Sequence, residues 1–314
     1  MLFKGVFTNS AGILTSRVAG FVRDFTTASI LGANVYSDIF FVAFKLPNLL
    51  RHIFAEGAFT QAFLPSFTAA RYKGRFSAEI FLWLFGVILL LSFAATFFAE
   101  TLTLLMAWGF SEETRQMAAP FVALNFWYLD FIFVVTFLMA LLHYRKHFAV
   151  SAFSTALLNL SMILALLIAK DKEQIEIVWY LSFGVLVGGL LQVLVHIAAL
   201  RGKRLIPMLA GGFKKKRDVS ADTSRFRRSF FPAVFGASSI HLAAFIDTLL
   251  ASFLAAGSIS YLYYANRIFQ LPLAVYAIAV SMALFPVIAR AIKRGDENGA
   301  NALLSRNFRL HLFL

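Results

Sequence analysis

The 314-residue sequence contains no cysteine. That excludes disulfides, Cys-ligated metal sites and thiol catalysis, and leaves the compartment open. Charge is scarce too: Asp, Glu, Lys and Arg make up 14% of residues, where a soluble domain carries about 25%. Acids are the scarcer sign, 16 against 29 basic residues, for a net charge of +13. No Walker-type phosphate loop occurs, so an ATP-driven engine of that class is excluded. A cleavable leader is not expected either. Met-Leu-Phe-Lys runs into a stretch bearing Arg17, Arg23 and Asp24, whereas a signal h-region is uncharged.

What is abundant is apolar surface, at 60% of residues. Apolar stretches recur along the whole chain, each long enough to cross ~30 Å of hydrocarbon. Without water the backbone must satisfy itself, so these stretches are helices. The alternation of a membrane β-barrel is missing. The pattern predicts an all-α, polytopic membrane protein with helices over 5–31, 36–66, 78–107, 116–143, 148–169, 176–200, 225–255 and 259–290, and a ninth starting near 298. Gly32-Ala33-Asn34, Lys73-Gly74, Gly109, the run from Lys170 to Glu176, and Gly257-Ser258 separate them. The 37 Phe residues read as lipid-facing bulk.

Basic residues set the orientation. Alternate loops carry eighteen Lys and Arg on one side, ten of them between Arg201 and Arg228, and three on the other: Arg115, Lys170 and Lys172. This asymmetry predicts a cytoplasmic N-terminus. It also explains the net positive charge through anionic lipid rather than nucleic acid.

Segment 201–224, basic and Gly-containing, reads as a cytoplasmic linker between an N-terminal lobe, 1–200, and a partial C-terminal lobe, 225–314. The two sides of it match. Asp24-Phe-Thr-Thr-Ala-Ser-Ile-Leu31 aligns with Asp247-Thr-Leu-Leu-Ala-Ser-Phe-Leu254, Pro47 with Pro272, and Leu64-Pro65 with Phe285-Pro286. Two parallel repeats around a central cavity are the architecture of many secondary transporters. The second repeat is the shorter, and the sequence ends at Leu310-His-Leu-Phe-Leu314 inside an apolar segment, which reads as a fragment.

Ten of the ionisable residues inside the predicted spans are Arg17, Arg23, Asp24, Asp38, Lys45, Arg51, Glu56, Asp130, Asp247 and Arg267. Facing lipid they would cost roughly 25–35 kcal/mol together, so most face protein or a water-filled cavity. On a helix, Asp38, Lys45 and Glu56 share one stripe, as do Arg17 and Asp24, while Gly12, Ser16 and Gly20 form a ridge suited to close packing. His143 and His147 read as snorkelling interfacial residues and His241 as a packed one. From the residues alone three readings stay open: a transport pathway, charges paired for structure, and an intramembrane enzyme.

Ser16-Arg17-Val-Ala-Gly20-Phe-Val-Arg23-Asp24 resembles the first-helix motif of the MurJ/MviN family. The stretch from Asp38 to Phe59, with Lys45-Leu-Pro47-Asn48-Leu-Leu-Arg51 and Glu56-Gly57-Ala58, resembles that family's most characteristic segment. Leu157-Leu-Asn159-Leu-Ser-Met162, Ala251 to Ser258, and Tyr263-Tyr-Ala-Asn-Arg267 also match.

The resemblance implies the multidrug/oligosaccharidyl-lipid/polysaccharide exporter fold in a bacterial inner membrane. The implied function is transport without catalysis: lipid II, the undecaprenyl-diphosphate-linked peptidoglycan precursor, flipped from the cytoplasmic to the periplasmic leaflet by alternating access. Lipid II, membrane phospholipids and other cell-wall synthesis proteins are the implied partners. Diphosphate-binding positions match Arg17, Arg23, Arg51 and Arg267, with Asp24, Asp38, Lys45 and Glu56 as supporting cavity charges. The runner-up is a cation-coupled exporter of drugs or another lipid-linked oligosaccharide. A polyprenyl-diphosphate transferase would want a paired-acid metal site, which the sequence lacks.

No Lys or Arg lies between Arg228 and Arg267, on either side of Asp247. It is expected to be protonated, to pair with Arg267, or to hold a cation. The resemblance implies sodium, with further ligands from helices beyond residue 314. Asn266 and Gln270 stand where the family pattern leads one to expect acids.

Overall fold

The computed structural model describes residues 2–53, 58–201, 205–214, 217–293, 296, 299 and 301–305. Glu56, the start of the ninth helix near 298, and the side chain of His241 lie outside the described residues. The elements are α1 (Leu2–Ile30), α2 (Val35–Ile53), α3 (Phe59–Ala69), α4 (Lys73–Phe97), α5 (Ala99–Met106), α6 (Glu112–Phe126), α7 (Tyr128–Tyr144), α8 (Ala149–Ala169), α9 (Gln174–Arg201), α10 (Leu205–Lys214), α11 (Ser220–Ala251) and α12 (Ser258–Lys293). Residues 301–305 are helical as well. Among the described residues every regular element is helical.

Lys73–Phe97, Glu112–Tyr144, Ala149–Ala169 and Gln174–Arg201 are long and apolar enough to cross a membrane. Large side chains stand open on them, among them Leu90 at 71% and Ile168 at 68% exposure, which in a soluble protein would be an aggregation surface and in a bilayer is the lipid face. The other helices of 19 residues or more, α1, α2, α11 and α12, carry several ionisable residues in their interiors.

Several predicted helices are divided. The span expected over 36–66 is described as α2 and α3 on either side of 54–57, and each piece contains a proline, Pro47 and Pro65. The expected helix 78–107 breaks at Phe98. The expected helix 116–143 breaks at Trp127, where tighter bonds of the i→i+3 kind, Trp127 to Leu124 and Asp130 to Trp127, replace the α pattern. Segment 201–224, read as a linker, contains α10 and the first turn of α11. Gly74 of α4 and Gly212 of α10 let these helices cross backbone to backbone, since a Cβ on either would strike main-chain atoms of the other.

The phenylalanines correct a further expectation. Phe59, Phe63, Phe67, Phe76, Phe133 and Phe226 are each at most 1% exposed and pack ring against ring. Centroids lie 5.0 Å apart for Phe59–Phe63, 5.6 Å for Phe63–Phe76 and 5.9 Å for Phe59–Phe226. They form an interior cluster drawn from α3, α4, α7 and α11. Lipid tails are as apolar as a protein interior, so hydrophobicity does not sort these rings; ring geometry adds about 0.5–1.5 kcal/mol per pair.

Contacts at the helix ends sort the loops into the two sets that the charge alternation demands. Gly257 lies against Ala33, where an added Cβ would sit 2.8 Å from the Ala33 carbonyl oxygen. The Gly109 N–H donates to Ser252 Oγ at 2.9 Å. These are loops of the basic-poor side. On the basic side Gly74 meets α10, and Arg217 and Arg71 both lie over the Tyr72 ring.

By compactness the chain forms two units, Met1–Tyr263 and Tyr264–Leu314. The boundary between them falls within α12. The second unit holds the remainder of α12, including Arg267.

Candidate functional site

The small-residue ridge of α1 determines where its charges go. Gly12 abuts Ala152, whose backbone carbon would lie 3.0 Å from an added Cβ, and Gly20 faces the Asn159 amide. Ser16 Oγ donates to the Ala152 carbonyl at 2.9 Å, and Asn159 Nδ2 donates to the Ser16 carbonyl at 3.2 Å. With α1 seated on α8, the next position on that face is Arg23. It is 7% exposed and Asp24 is 5% exposed.

Every donor of Arg23 is engaged. A guanidinium has five N–H groups in a fixed fork. Nε and Nη2 donate to Asp24 Oδ1 at 3.0 and 2.5 Å, and Nη2 also donates to Tyr263 Oη at 3.0 Å. Nη1 donates to Asn159 Oδ1 at 3.0 Å and points at Met162 Sδ, 3.9 Å away. The Tyr263 hydroxyl donates in turn to Asp24 Oδ1 at 3.1 Å, and its ring stacks on Phe41 with centroids 4.0 Å apart. Asp24 pairs with its neighbour Arg23; Arg17, which shares a helix stripe with Asp24, is exposed.

Arg51 lies on α2, half-buried, with Nε donating to Asn48 Oδ1 at 3.1 Å. Tyr128 of α7 is fully buried. Tyr128 is also hydrogen-bonded to Gln192 at 3.5 Å, and Gln192 Nε2 donates to the Ser154 carbonyl at 3.1 Å. Lys45 is half-buried on the same helix as Arg51. Arg267 is half-buried in the second unit.

Asp38 occupies a different kind of position. Asn34 caps its own helix, accepting from the N–H groups of Tyr36 and Ser37 at 2.9 and 3.2 Å. At the start of α12 the residue in the corresponding place is Gly257, which has no side chain to cap with. Asp38, 3% exposed, supplies the cap from α2. Its Oδ2 accepts from Gly257 N–H at 2.6 Å, and its Oδ1 accepts from Ser260 N–H at 2.8 Å and Ser260 Oγ–H at 2.6 Å. Ser260 Oγ lies 2.7 Å from Ser37 Oγ, a residue 223 positions earlier. That separation equals the offset of the Asp24/Asp247 match, 223 residues, so equivalent residues of the repeats touch. Each repeat also turns on a glycine of positive φ, +72° at Gly32 and +93° at Gly257. Only glycine takes that conformation without strain.

Asp130, at the start of α7, accepts from Ser92 Oγ at 2.5 Å, and its buried Oδ1 has no partner. Asp247 is exposed on α11. Among the described residues no cluster of three acidic, histidine or cysteine side chains is present to hold a metal ion. Sequence reasoning missed Tyr263, Tyr128, Ser37 and Ser260; the signal that could have found them is a hydroxyl placed in an otherwise apolar helix.

Comparison with known proteins converges. The family model described as "Lipid II flippase MurJ" matches residues 27–314. A probable lipid II flippase MurJ of Helicobacter pylori (strain J99) is 52% identical over 283 residues, covering 86% of this chain and 62% of that protein. A protein of the same description from Aquifex aeolicus (strain VF5) is 34% identical over 293 residues, covering 92% and 57%. A solved structure, "Lipid II flippase MurJ, inward closed conformation", superposes with a TM-score of 0.76 at 25% identity, covering 91% of this chain and 59% of that one. The chain thus spans about three fifths of the length of these relatives.

Proposed function

Since the chain belongs to the lipid II flippase MurJ family, we propose that it carries lipid II from the cytoplasmic to the periplasmic leaflet of the bacterial inner membrane by alternating access. The observation that carries this reading is the contact of equivalent residues, Ser37 and Ser260, with Asp38 capping α12 beside them. It joins the repeats at the basic-poor end, which the charge asymmetry assigns to the periplasm. A gate of this kind opens by surrendering a few charge-assisted hydrogen bonds, each worth about 1.5–3 kcal/mol. Two states differing by a few kcal/mol form the equilibrium that a bound substrate can shift.

Arg17, Arg23, Arg51 and Arg267 supply the cationic groups for the diphosphate. Arginine keeps its proton in a low-dielectric cavity and offers a bidentate fork to phosphate oxygens. Asp24, Asp38, Lys45 and Glu56 set the charge around them, and the polyprenyl tail stays in lipid while the head group crosses.

A disulfide tests the gate. In the cysteine-free background, the pair Ser37→Cys and Ser260→Cys should cross-link under mild oxidation. In the full-length protein, cross-linking should arrest lipid II flipping, and reductant should restore it. Unchanged flipping by fully cross-linked protein would rule out opening at this contact. Orientation is checked separately: single cysteines at the exposed positions Arg71 and Arg145 should label only from the cytoplasm, and one at Asp171 only from the periplasm.

A further inference from the structure

Tyr263 joins the two features just described, and nothing in the proposed function uses it. It stands one turn after Ser260 on α12, and residues three apart share a helix face. The first turn of α12 is therefore fastened twice to the first repeat. Ser260 and Gly257 hold it to Asp38 of α2, and Tyr263 holds it to Arg23 and Asp24 of α1. The Tyr263 hydroxyl takes one of the five N–H groups of a guanidinium whose other donors are all directed. A diphosphate oxygen arriving at Arg23 must displace something. Asp24 is adjacent in sequence and accepts twice, so it is the harder partner to remove. Asn159 is fixed by its bond to Ser16. The Met162 sulfur, 3.9 Å away, is a weak acceptor that ties Arg23 to α8 alone; among the oxygen partners the phenol, neutral and singly bonded to the guanidinium, is the one that yields to an anion.

We propose that Tyr263 is a positioning residue that occupies the phosphate place on Arg23 in this state, and that its displacement by a diphosphate oxygen unfastens the first turn of α12. Anion binding at α1 is thereby coupled to the Asp38 cap one turn away. The inference rests on the diphosphate reading of Arg23 given above. In the substrate-free state the hydroxyl keeps Arg23 and Asp24 paired and the gate closed; in the loaded state the phosphate takes its place and α12 is released.

The test compares the full-length protein with Tyr263→Phe, which retains the ring and its stack on Phe41, using undecaprenyl diphosphate in nanodiscs as the probe. Removing the competing hydroxyl should tighten binding on the order of tenfold, the worth of one charge-assisted hydrogen bond. Without the probe the variant should melt at a lower temperature than the parent, and saturating probe should close that gap, because only the empty state uses the hydroxyl. Weaker binding by the variant would mean that Tyr263 grips the substrate, and equal binding that it does not compete; either result overturns the proposal while leaving Arg23 as a diphosphate ligand. If the parent itself fails to bind undecaprenyl diphosphate, the diphosphate reading falls and this inference with it. Should Tyr263→Phe fold poorly, Phe41→Leu loosens the stack while keeping the hydroxyl, and should tighten binding by a smaller factor; no change or weaker binding would count against the proposal.

Discussion

Asp38 accepts both the backbone N–H and the hydroxyl of Ser260, a residue 222 positions away, at 2.8 and 2.6 Å. One carboxylate thereby serves as the N-cap of a helix from the other repeat and places a negative charge at the positive end of its dipole. Asp38→Ala strips acceptors from two backbone N–H groups and a hydroxyl, and should destabilise the full-length protein on the order of 3 kcal/mol. Ser260→Ala keeps the N–H bond and should cost about 1 kcal/mol. Thermal unfolding in detergent ranks the two; equal melting temperatures would remove the cap from the account of the gate.

Gly257 and Gly86 give a contrast that composition cannot. At Gly257, φ is +93° and a Cβ would meet the Ala33 carbonyl oxygen at 2.8 Å, whereas Gly86, inside α4, has open space within 4 Å. Gly257→Ala should destabilise by about 1–3 kcal/mol through backbone strain and collision. Gly86→Ala should be neutral or stabilising by up to about 1 kcal/mol, since alanine is the better helix former. Unfolding midpoints of the two single variants decide it, and a milder effect at Gly257 than at Gly86 would contradict the turn geometry.

Much of this was legible in the sequence because membrane burial penalises charge so steeply. The cost of placing Arg23 and Asp24 in a span required them to be partnered, and the ridge Gly12, Ser16, Gly20 pointed to a close helix neighbour; both features bear on α8 and on each other. The repeat was readable as well, and it reappears as a contact between Ser37 and Ser260 at the offset of the Asp24/Asp247 match. What sequence could not show depends on approach in three dimensions. Nothing local to Asp38 announces that it caps a helix over 200 residues away. Nor does hydropathy say whether Phe63 faces lipid or Phe76, because both surroundings are apolar. That Arg23 curls back onto the adjacent Asp24 is a matter of side-chain approach too, which a projection down the helix axis does not represent.

Asp130 carries a further expectation. Its carboxyl is 8% exposed, has Ser92 as its side-chain partner at 2.5 Å, and leaves Oδ1 buried without one. A buried carboxylate with so little compensation costs several kcal/mol as an ion. Asp130→Asn removes the charge, retains an acceptor for Ser92 and should be neutral or stabilising by about 1 kcal/mol, with flipping intact. Asp130→Leu should lose on the order of 1–2 kcal/mol by orphaning the Ser92 hydroxyl. Loss of flipping in a well-folded Asp130→Asn variant would show instead that the ionised form is required.

Arg17 and Arg23 separate binding from architecture. Both are proposed diphosphate ligands, yet Arg17 is exposed whereas Arg23 is enclosed by Asp24, Asn159 and Tyr263. Arg17→Ala removes a charge that holds nothing together, so stability should stay within about 0.5 kcal/mol of the parent. Lipid II flipping should nevertheless be lost. Arg23→Ala leaves Asp24 buried without its cation, and should cost on the order of 3–5 kcal/mol whether or not substrate is present. Arg23→Lys restores the charge but not the fork. It can satisfy Asp24 or Asn159 with Tyr263, not all three, and should recover part of the stability and little of the transport. Measuring melting temperature and flipping on the same preparations separates the two roles. Normal transport by Arg17→Ala would remove it from the diphosphate site, and a parent-like melting temperature for Arg23→Ala would show that the enclosed network contributes nothing to the fold.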